Sequence, residues 1–413
     1  MAHDWKQTRL AEVCNFQNGF AFKNSDYVEE GNGAFEIFRM GHILRGGGFN
    51  PDGKKALVPE EQAQKLGRFL LNEGDILMCM TDMKSSMALL GHTARMPVSG
   101  RYLVNQRVGR ITVKKPDVLD QRFLYYYSNS PDYIDWLRSH ANSGVQVNLS
   151  TEAILNSPIS FPPLPVQRRI AGILSAYDEL MENSQRRIRL LEAMARALYR
   201  EWFVHFRFPG HDTKSSASDN SPDFVSGMLG DLCGLTKDTY DDAVHSELPL
   251  LDLAHMPSRT LAPQDTGHPS ELTTSRIVFK KNDTLFGAIR CYLHKVVAAH
   301  YSGVTNTSVL VLRPKRPCFR SLLAIIASDA ETIRWAEAQS TGTKMPVINW
   351  GIFQKMPAPV PSAGLAQEFE NIAGPMLDQI GVHAIQIQNL RRTRDLLLPR
   401  LLSGQVSLAV NGT

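Results

Sequence analysis

Residue types that carry enzyme chemistry are present in this 413-residue sequence, but not at the spacings that catalysis needs. No GxxxxGK[ST] phosphate loop, GxSxG nucleophile elbow or HExxH metal-binding helix occurs. The Asn/Asp-Pro-Pro-aromatic tetrad of amino-methyltransferases is also missing. The histidines are dispersed, and the five cysteines, at 14, 79, 233, 291 and 318, show no zinc-ligand spacing. We therefore predict a chain with no catalytic residue and no metal site of its own.

The composition is typical of a soluble globular protein, with 43% hydrophobic and 21% charged residues. A net charge of +4 permits an anionic partner without requiring one. No apolar run approaches the roughly 20 residues of a membrane span, and the first residues lack the apolar region of a signal peptide. An odd number of dispersed cysteines fits a reducing compartment. We expect a cytoplasmic protein of two or three domains without a membrane contact.

A long helix is predicted over roughly 166–203, because apolar or aromatic residues recur there at alternating steps of four and three. These positions are Ile170, Leu174, Tyr177, Met181, Ser184, Ile188, Leu191, Ala195, Leu198 and Trp202. Only Ser184 among them is polar, and no Gly or Pro interrupts 176–201. At about 1.5 Å per residue the helix forms a rod of roughly 57 Å, which needs a partner helix to bury its apolar seam.

A second seam of the same rhythm lies near the end of the sequence. Its positions are Phe369, Ala373, Met376, Ile380, His383, Ile387, Leu390, Arg394, Leu397 and Leu401. We predict that the two seams pack on each other. The alternative is that each belongs to the core helix of its own domain, but core helices average about 12 residues, which favours the pairing.

An internal repeat divides the sequence into two similar halves. The matched segments are 10–14 (LAEVC) with 229–233 (LGDLC), 73–77 (EGDIL) with 281–285 (KNDTL), and 162–165 (PPLP) with 359–361 (PVP). Each half is a mixed region followed by a proline-rich turn and a long helix. Residues 210–226 (GHDTKSSASDNSPDFVS) are polar and predict a flexible connector between the halves.

The mixed regions are predicted to contain mainly strands, at 74–80, 107–113, 283–289 and 307–312. One helix follows in each half, over 121–139 and over 319–339. We therefore predict an α+β fold with two mixed strand–helix domains related by an approximate two-fold axis. Two long helices separate these domains and form an antiparallel coiled coil.

The sequence resembles the specificity (S) subunit of Type I restriction–modification systems over nearly its whole length. The resemblance rests on Trp5, Leu10, Val13 and 16–23 (FQNGFAFK), on 74–77 (GDIL), on 142–145 (NSGV) leading to 159–170 (ISFPPLPVQRRI), and on the closing 401–404 (LLSG). The second copy is looser, with 340–343 (STGT) leading to 356–361 (MPAPVP). The order and duplication of these fragments make the resemblance specific.

The resemblance implies a domain order, namely recognition domain 1 over 1–162, spacer helix 1 over 163–206, a linker over 207–226, recognition domain 2 over 227–361 and spacer helix 2 over 362–408. In this family each recognition domain reads one half of a split site in double-stranded DNA. The subunit is not an enzyme. It holds two methyltransferase subunits that methylate adenine, and through them restriction subunits that translocate and cut DNA.

The same resemblance implies no cofactor on this chain, because S-adenosylmethionine, Mg²⁺ and ATP belong to the partner subunits. A stiff helical spacer suits half-sites that are centred about one DNA turn, roughly 34 Å, apart. Helix length is then expected to set the gap in the recognised sequence.

Candidate DNA contacts are residues that suit phosphate or base edges, chiefly Arg, Lys, Asn, Gln and Ser. In the first domain they are Arg39, His42, Lys84, Ser85, Arg101, Gln106, Arg107 and Gln146. In the second domain they are Arg290, Lys295, Asn306 and Lys344, with Tyr292, His294, Thr305 and Thr307 beside them. Each has the alternative of an ordinary exposed side chain or loop cap, since recognition domains differ between family members and the resemblance transfers no base contact.

Other interpretations of the sequence stay open at this point. The arginines of the first long helix, at 186, 187, 189, 196 and 200, could face DNA phosphate, an acidic patch of a methyltransferase or solvent. The chain could also be a DNA-modifying or DNA-cutting enzyme with an atypical active site, or a coiled-coil scaffold without DNA contact.

Overall fold

The computed structural model of the protein describes residues 5–29, 34–142, 144–209, 224–263 and 265–406. The chain divides into two compact units. Unit 1 comprises Met1–Tyr177 with Thr393–Thr413, and unit 2 comprises Asp178–Arg392. Most of the predicted connector, 210–223, lies outside the described residues.

Unit 1 contains eleven short strands and six helices among its described residues. The strands are β1 (Lys6–Arg9), β2 (Cys14–Asn18), β3 (Phe35–Phe38), β4 (Leu57–Val58), β5 (Ile76–Cys79), β6 (Thr81–Met83), β7 (Thr93–Arg95), β8 (Tyr102–Val104), β9 (Val108–Val113), β10 (Gln146–Asn148) and β11 (Pro158–Phe161). The helices are α1 (Leu10–Val13), α2 (Glu60–Lys65), α3 (Gln121–Ser128), α4 (Pro131–Ser139), α5 (Thr151–Asn156) and the start of α6 (Leu164–Tyr199).

Two sheets form the centre of unit 1, with the strand orders β2-β9-β5-β7 and β4-β3-β8. Strand β5 is buried on both faces, so its residues alternate between two apolar clusters. Ile76 and Met78 pack with the helices, whereas Leu77 and Cys79 pack with the residues of the smaller sheet. Strand β5 is therefore the element on which the other layers of unit 1 are assembled.

Unit 2 repeats this arrangement. Its strands are β12 (Phe224–Met228), β13 (Cys233–Thr236), β14 (Asp238–Thr239), β15 (Arg276–Phe279), β16 (Thr284–Gly287), β17 (Val296–Ala298), β18 (Gly303–Asn306), β19 (Val309–Pro314) and β20 (Pro357–Pro361). Its helices, besides the rest of α6, are α7 (Leu229–Leu232), α8 (Asp242–His245), α9 (Arg320–Ala327), α10 (Ala330–Ala338), α11 (Trp350–Phe353) and α12 (Ala363–Leu402).

The sheets of unit 2 have the orders β13-β19-β16-β17 and β14-β15-β18. The four-stranded sheet matches that of unit 1 strand by strand, whereas the three-stranded sheet differs, because β18 pairs antiparallel with β15 while β8 pairs parallel with β3. The pairing of β12 with β20 likewise matches that of β1 with β11. The α+β fold of two similar domains and two long helices, predicted from the sequence, is confirmed.

The repeated sequence before each central strand encodes one turn. Gly74 and Asn282 both have a left-handed backbone, with φ of 89° and 76°, a region open mainly to Gly and, next, to Asn. The following Asp then accepts a hydrogen bond from the backbone N–H three residues earlier, at 2.9 Å for Asp75 and 2.8 Å for Asp283. This turn thus requires Gly or Asn for its left-handed backbone, followed by Asp for the hydrogen bond.

Each of the two mid-sized helices predicted from the sequence is in fact a pair. The predicted helix over 121–139 breaks between α3 and α4, where Pro131 begins the second helix. The predicted helix over 319–339 breaks between α9 and α10, where the Asp329 side chain caps the backbone N–H of Glu331 at 2.8 Å. A proline at the first position and an acidic N-cap both favour a new start over continuation.

The two long helices begin at Leu164 and Ala363, close to the predicted boundaries at 162 and 361. Within unit 2, Met181 and Ile188 of α6 share an apolar cluster with Ile380 and Ile387 of α12. Further along, Phe203, in the π-helical turn after α6, stacks edge-on with Phe369, near the start of α12, at 5.1 Å. Because residue numbers rise along one helix and fall along the other, the helices are antiparallel, as predicted.

Ser184 and His383, two of the three polar residues of the seams, both contact Gln386 in unit 2. Ser184 of α6 donates to Oε1 of Gln386 on α12 at 3.3 Å, and His383 Nδ1 lies 3.3 Å from the same oxygen. A polar layer inside an apolar seam favours the one register in which its partners meet. The imperfections of the seams therefore align the two helices.

Candidate nucleic-acid interface

Two loops of unit 1 that carry predicted contact residues lie side by side. Strand β10 pairs antiparallel with β6, so that Gln146 is opposite Met83. The backbone N–H of Lys84 donates to the carbonyl oxygen of Val145 at 3.0 Å. Lys84, Ser85 and Gln146 are all exposed. The pairing therefore brings together three side chains that the sequence separates by about sixty residues.

Backbone hydrogen bonds extend this cluster across the ends of neighbouring strands. Met80 N–H donates to the carbonyl of Arg107 at 3.0 Å, and Leu149 N–H donates to the carbonyl of Met80 at 2.8 Å. Asn105 N–H donates to the carbonyl of Phe38 at 3.1 Å, which places Arg39 beside Asn105. We call this row, formed by residues 39, 84–85, 105–107 and 146, the first edge.

The turn at 105–107 presents its side chains outward. The Asn105 side chain is buried, and its Oδ1 accepts the backbone N–H of Arg107 at 3.2 Å, which forms an Asx turn. Gln106 and Arg107 are exposed as a result. Asn105 thus positions the two residues that match the chemistry of adenine, guanine and phosphate contacts.

The structure separates two predicted residues from the first edge. His42 is buried, stacked against Phe49, and its Nδ1 accepts the backbone N–H of Arg39 at 3.0 Å while Nε2 lies 3.0 Å from Glu36 Oε1. A side chain without accessible surface does not fit a DNA contact, so His42 is a core residue. Arg101 is exposed but precedes β8, at the opposite end of that strand from Gln106.

Unit 2 builds a second edge on the same hydrogen bonds. Ala288 N–H donates to the carbonyl of Ser308 at 2.9 Å, and Ile348 N–H donates to the carbonyl of Ala288 at 3.0 Å. Asn306 Oδ1 accepts the backbone N–H of Ser308 at 2.9 Å, in the same Asx turn as Asn105. Asn306 is therefore a half-buried positioning residue, and the exposed Thr307 occupies the place of Gln106.

Arg290 and Lys344 lie on the two loops that meet at this second edge. Arg290 N–H donates to the carbonyl of Pro346 at 2.8 Å, and Ile289 forms a bridge with Val347. Both cationic side chains are exposed. We call residues 290–294, 306–307 and 344–345 the second edge.

Lys295 and His294 follow Arg290 in sequence but have structural roles. The Lys295 ammonium donates to the carbonyl of Leu253, and partial burial lowers the pKa of this side chain. Burial also lowers the pKa of His294, whose Nε2 donates to the carbonyl of Ser328 at 2.8 Å. Thr305 is buried, so its side chain is not on the surface. The prediction of a DNA contact therefore fits Arg290 and Lys344 better than it fits Lys295.

Sequence reasoning missed one polar residue that organises unit 2. Glu192 of α6 is buried, and its Oε1 accepts hydrogen bonds from Thr260 Oγ1 and from the Leu261 backbone N–H, both at 2.6 Å. Arg189 precedes it by three residues and Arg196 follows it by four, so the sequence suggested that Glu192 belongs to an exposed charged face. The signal that could have indicated burial is its position one residue from Leu191 in the apolar seam.

Within the described part of the chain, no group of three or more His, Cys, Asp or Glu residues could hold a metal ion. No helix of that part is long and apolar enough to cross a membrane. A cavity of about 800 Å³ in unit 2, lined by Tyr199, Asp329, Trp335 and Pro357 among others, includes none of the predicted contact residues.

Comparison with known proteins shows which family the chain resembles. Residues 2–193 match the family model described as the Type I restriction modification DNA specificity domain. The match covers just under half of the chain. The chain is also 20% identical over 372 residues to the Type I restriction enzyme MjaIX specificity subunit of Methanocaldococcus jannaschii, covering 84% of this chain and 81% of that protein. The resemblance predicted from the sequence is confirmed.

Two further proteins are similar to this chain. The EcoBI specificity subunit of Escherichia coli is 26% identical over 187 residues, which cover 45% of this chain and 35% of that protein. The crystal structure of the Type I restriction–modification S subunit from M. genitalium superimposes with a TM-score of 0.59 at 15% identity, covering 97% of this chain and 96% of that chain. At that identity the superposition shows a shared fold.

Proposed function

We propose that this chain is the DNA-reading subunit of a Type I restriction–modification complex and has no catalytic activity of its own. The supporting observation is that both units build the same edge from the same backbone hydrogen bonds, and each edge carries exposed cations. Two similar edges suit a site with two half-sites. The first edge reads one half-site and the second edge reads the other.

The side chains of each edge divide by the chemistry they suit. Arg107, Lys84, Arg290 and Lys344 suit phosphate oxygens or the O6 and N7 acceptors of guanine. Gln106 and Gln146 are amides that suit adenine. Each specific base contact of this kind contributes roughly 1–3 kcal/mol of discrimination. The first edge, with two exposed amides, is expected to read adenine more often than the second.

The chain works in this proposal with partners that supply the chemistry. Two methyltransferase subunits bind S-adenosylmethionine, and restriction subunits use ATP and Mg²⁺, so this chain needs no cofactor. Its place is the cytoplasm, where these partners meet the chromosome. Helix α6 connects the two reading units in the chain, so we propose that its length, together with that of α12, sets the gap in the site.

A binding experiment with the full chain tests the proposal. The purified chain is titrated with double-stranded DNA by filter binding at several salt concentrations, and binding is expected to weaken steeply as salt rises. Charge reversal at the first edge, Arg107→Glu with Lys84→Glu, should weaken binding and reduce the salt slope by about 2. Lys65→Glu, an exposed lysine on α2, is the matched control and should change little.

The same experiment separates the alternatives. Methylation or cutting of DNA by the chain alone, with S-adenosylmethionine and Mg²⁺ present, would identify an enzyme. A chain that binds methyltransferase subunits but no DNA at low salt would be a scaffold. Mapping methylated adenines in cells that express the complex should reveal a split sequence, and a continuous sequence would contradict the two-edge proposal.

A further inference from the structure

Large apolar side chains are exposed in or next to both edges, at the same pair of loops. In unit 1 they are Met83 and Val145, which are 53% and 80% exposed. In unit 2 they are Tyr292, Leu293 and Met345, which are 48%, 40% and 52% exposed. Of these five side chains, only Tyr292 was among the contact residues predicted from the sequence. Their recurrence at equivalent loops of both units links them to the shared task of the edges.

The apolar side chains of unit 2 stand on a backbone segment with unusual geometry. Residues 291–293 form one turn of 3₁₀ helix, and the residues on either side, Arg290 and His294, are both left-handed, with φ of 53° and 52°. Residues other than Gly and Asn rarely adopt this backbone conformation, and it persists only where surrounding contacts stabilise it. We call residues 290–294 the strained turn.

Contacts from three other segments hold the strained turn in place. Arg290 N–H donates to the carbonyl of Pro346 at 2.8 Å, and Arg259 N–H donates to the carbonyl of His294 at 2.9 Å. His294 Nε2 donates to the carbonyl of Ser328 at 2.8 Å, and Cys291 is buried in the main core of unit 2. The turn is therefore a fixed platform, and Tyr292 and Leu293 project from it into solvent.

The chemistry of DNA indicates what such side chains would meet. Base edges in the major groove offer hydrogen-bonding groups and one apolar group, the C5-methyl of thymine. The faces of the bases are also apolar, but reaching them requires unstacking the duplex. A rigid turn that begins with the exposed cation Arg290, next to the loop that carries the exposed Lys344, can approach an intact groove. A contact with a methyl group needs no distortion of the DNA.

We infer that Tyr292 and Leu293 contact the methyl group of a thymine in the half-site bound by unit 2. This inference rests on the proposed function and adds a chemical class of base readout to it. Met345, on the neighbouring loop, borders the same position. In unit 1, Met83 and Val145 occupy the corresponding loops and suit the same kind of contact with the other half-site.

The test uses deoxyuridine, which pairs like thymine but lacks the methyl group. Duplexes that the purified full chain enriches from a random library are resynthesised with single thymines replaced by deoxyuridine. The native chain should bind the duplex altered at the contacted position about fourfold more weakly, as expected for one buried methyl group. Leu293→Ala and Tyr292→Ala should weaken binding to the thymine duplex at least as much, and should remove the difference between the two duplexes.

Two controls make the result interpretable. Val382→Ala removes a side chain that is 56% exposed on α12 and should keep the full preference for thymine. Unchanged thermal unfolding of the variants, followed by circular dichroism, shows that the strained turn still folds. Deoxyuridine in the other half-site should affect the native chain and the Leu293→Ala variant equally, because unit 1 is unaltered.

The outcomes separate the inference from the proposal beneath it. If no deoxyuridine substitution weakens binding, or if the variants keep the full penalty for the missing methyl, the inference is overturned while sequence-specific binding stands. If Tyr292→Ala and Leu293→Ala bind as the native chain does, the strained turn lies outside the interface, which also overturns it. A native chain that enriches no sequence would refute the proposed function itself.

Discussion

The two edges share a frame of hydrogen bonds but differ in the strands that flank it. In unit 1, β8 pairs parallel with β3 over three residue pairs and meets Leu70 in a single antiparallel bridge at Leu103. In unit 2, β18 pairs antiparallel with β15 over four residue pairs and meets Leu250 in a single parallel bridge at Val304. The shared hydrogen bonds therefore determine where each edge lies, whereas the strands that pair with β8 and β18 differ between the units.

The same division applies to the side chains. The Asx turn at Asn105 and Asn306 recurs, and so does the left-handed residue before each central Asp. The residues that follow this Asn differ in chemistry: they are Gln106 and Arg107 in unit 1, and Thr307 and Ser308 in unit 2. Two copies of one scaffold can thus present different surfaces, which suits a protein that reads two different half-sites.

Asp75 in unit 1 and Asp283 in unit 2 occupy the same turn, and we expect the stability contributed by their ion pairs to show the largest difference between the units. Asp283 is 2% exposed and receives two hydrogen bonds of 2.8 Å from Arg313, while Asp75 receives one of 3.2 Å from Arg110. We expect Asp283→Ala to lower the free energy of unfolding by roughly 3 kcal/mol, since it removes two charge-assisted hydrogen bonds, although Arg313 keeps Asp238 Oδ2 at 3.0 Å. Asp75→Ala should cost about 2 kcal/mol, because Arg110 keeps other acceptors, such as the Leu70 carbonyl.

Hydrogen exchange can assign each loss to its unit. Asp283→Ala should reduce the protection of amides in β16, and Asp75→Ala that of amides in β5. Glu247→Ala, at an exposed carboxylate of unit 2, serves as the control and should change neither. Equal costs at Asp75 and Asp283 would show that the number of arginine hydrogen bonds does not distinguish the two units.

Each unit is attached to α6 by a different buried polar residue. In unit 1, Gln167 accepts the Asp120 N–H at 2.8 Å and donates to the carbonyls of Val118 and Pro162. In unit 2, Glu192 accepts hydrogen bonds from the Thr260 hydroxyl and the Leu261 backbone N–H. We expect Glu192→Ala to cost about 3 kcal/mol and Glu192→Gln about 1 kcal/mol, since the amide keeps one acceptor oxygen.

Exchange of the Leu261 amide measures this attachment directly. Its protection should fall strongly in Glu192→Ala and little in Glu192→Gln. Glu182→Ala, which removes an exposed carboxylate of the same helix, should leave it unchanged. If Glu192→Ala unfolds no more easily than Glu182→Ala, the attachment of this loop does not stabilise unit 2.

Low pH should lower the stability of unit 2 through protonation of His300, which packs against Gly381 of α12. Burial lowers its pKa from 6.5 to about 4, with Arg320 and Lys281 acting in the same direction and Asp378 opposing them. Between these two pH values the unfolded chain binds a proton that the folded chain does not. Stability should therefore fall as pH drops from 6.5 towards 4, by about 2 kcal/mol.

The variant His300→Gln should remove most of this acid sensitivity while preserving the fold at pH 7. Urea unfolding of both proteins across this pH range provides the measurement. Burial also lowers the pKa of His92 in unit 1 and of His294 in unit 2, and both add contributions of the same sign that the variant retains. An unchanged pH dependence in His300→Gln would exclude His300 as the source.

The long helices and the turn before each central strand were predictable, because the spacing of apolar residues and the turn residues encode them locally. The seam from Ile170 to Trp202 repeats every seven residues, and the turn before each central strand needs a left-handed residue and an Asp, so both survive in a single sequence. The split of the predicted helix at 121–139 was missed because the helical pattern continues across Asn129 and Ser130. Pro131 was the local signal for a new start.

Burial of polar residues was the part that the sequence could not supply. His42 and Arg39 are equally polar in type, yet packing against Phe49 places only His42 in the core. Glu192 lies among arginines that are mostly exposed, and only the approach of Leu261 in three dimensions makes it a buried acceptor. Such contacts join residues far apart in sequence, so neither composition nor spacing specifies them.

The left-handed residue of the shared turn gives the smallest and most direct comparison. Gly74 has room for a Cβ, since the nearest atom to that position, Arg95 Nη2, is 3.7 Å away. Gly74→Ala should therefore cost only the backbone strain, about 1 kcal/mol. Gly74→Asn, which copies unit 2, should cost less, because Asn tolerates this conformation better than Ala.

The reverse exchange completes this test. Asn282→Gly relieves the same strain but loses a hydrogen bond of 3.2 Å from Arg320 Nη1 to the Asn282 side chain. These effects oppose each other, so we expect a change below about 0.5 kcal/mol by urea unfolding. If Gly74→Asn costs as much as Gly74→Ala, the two turns do not obey one backbone rule. The equivalence of the two frames would then rest on strand pairing alone, because the sequence repeat at this turn would have no shared physical cause.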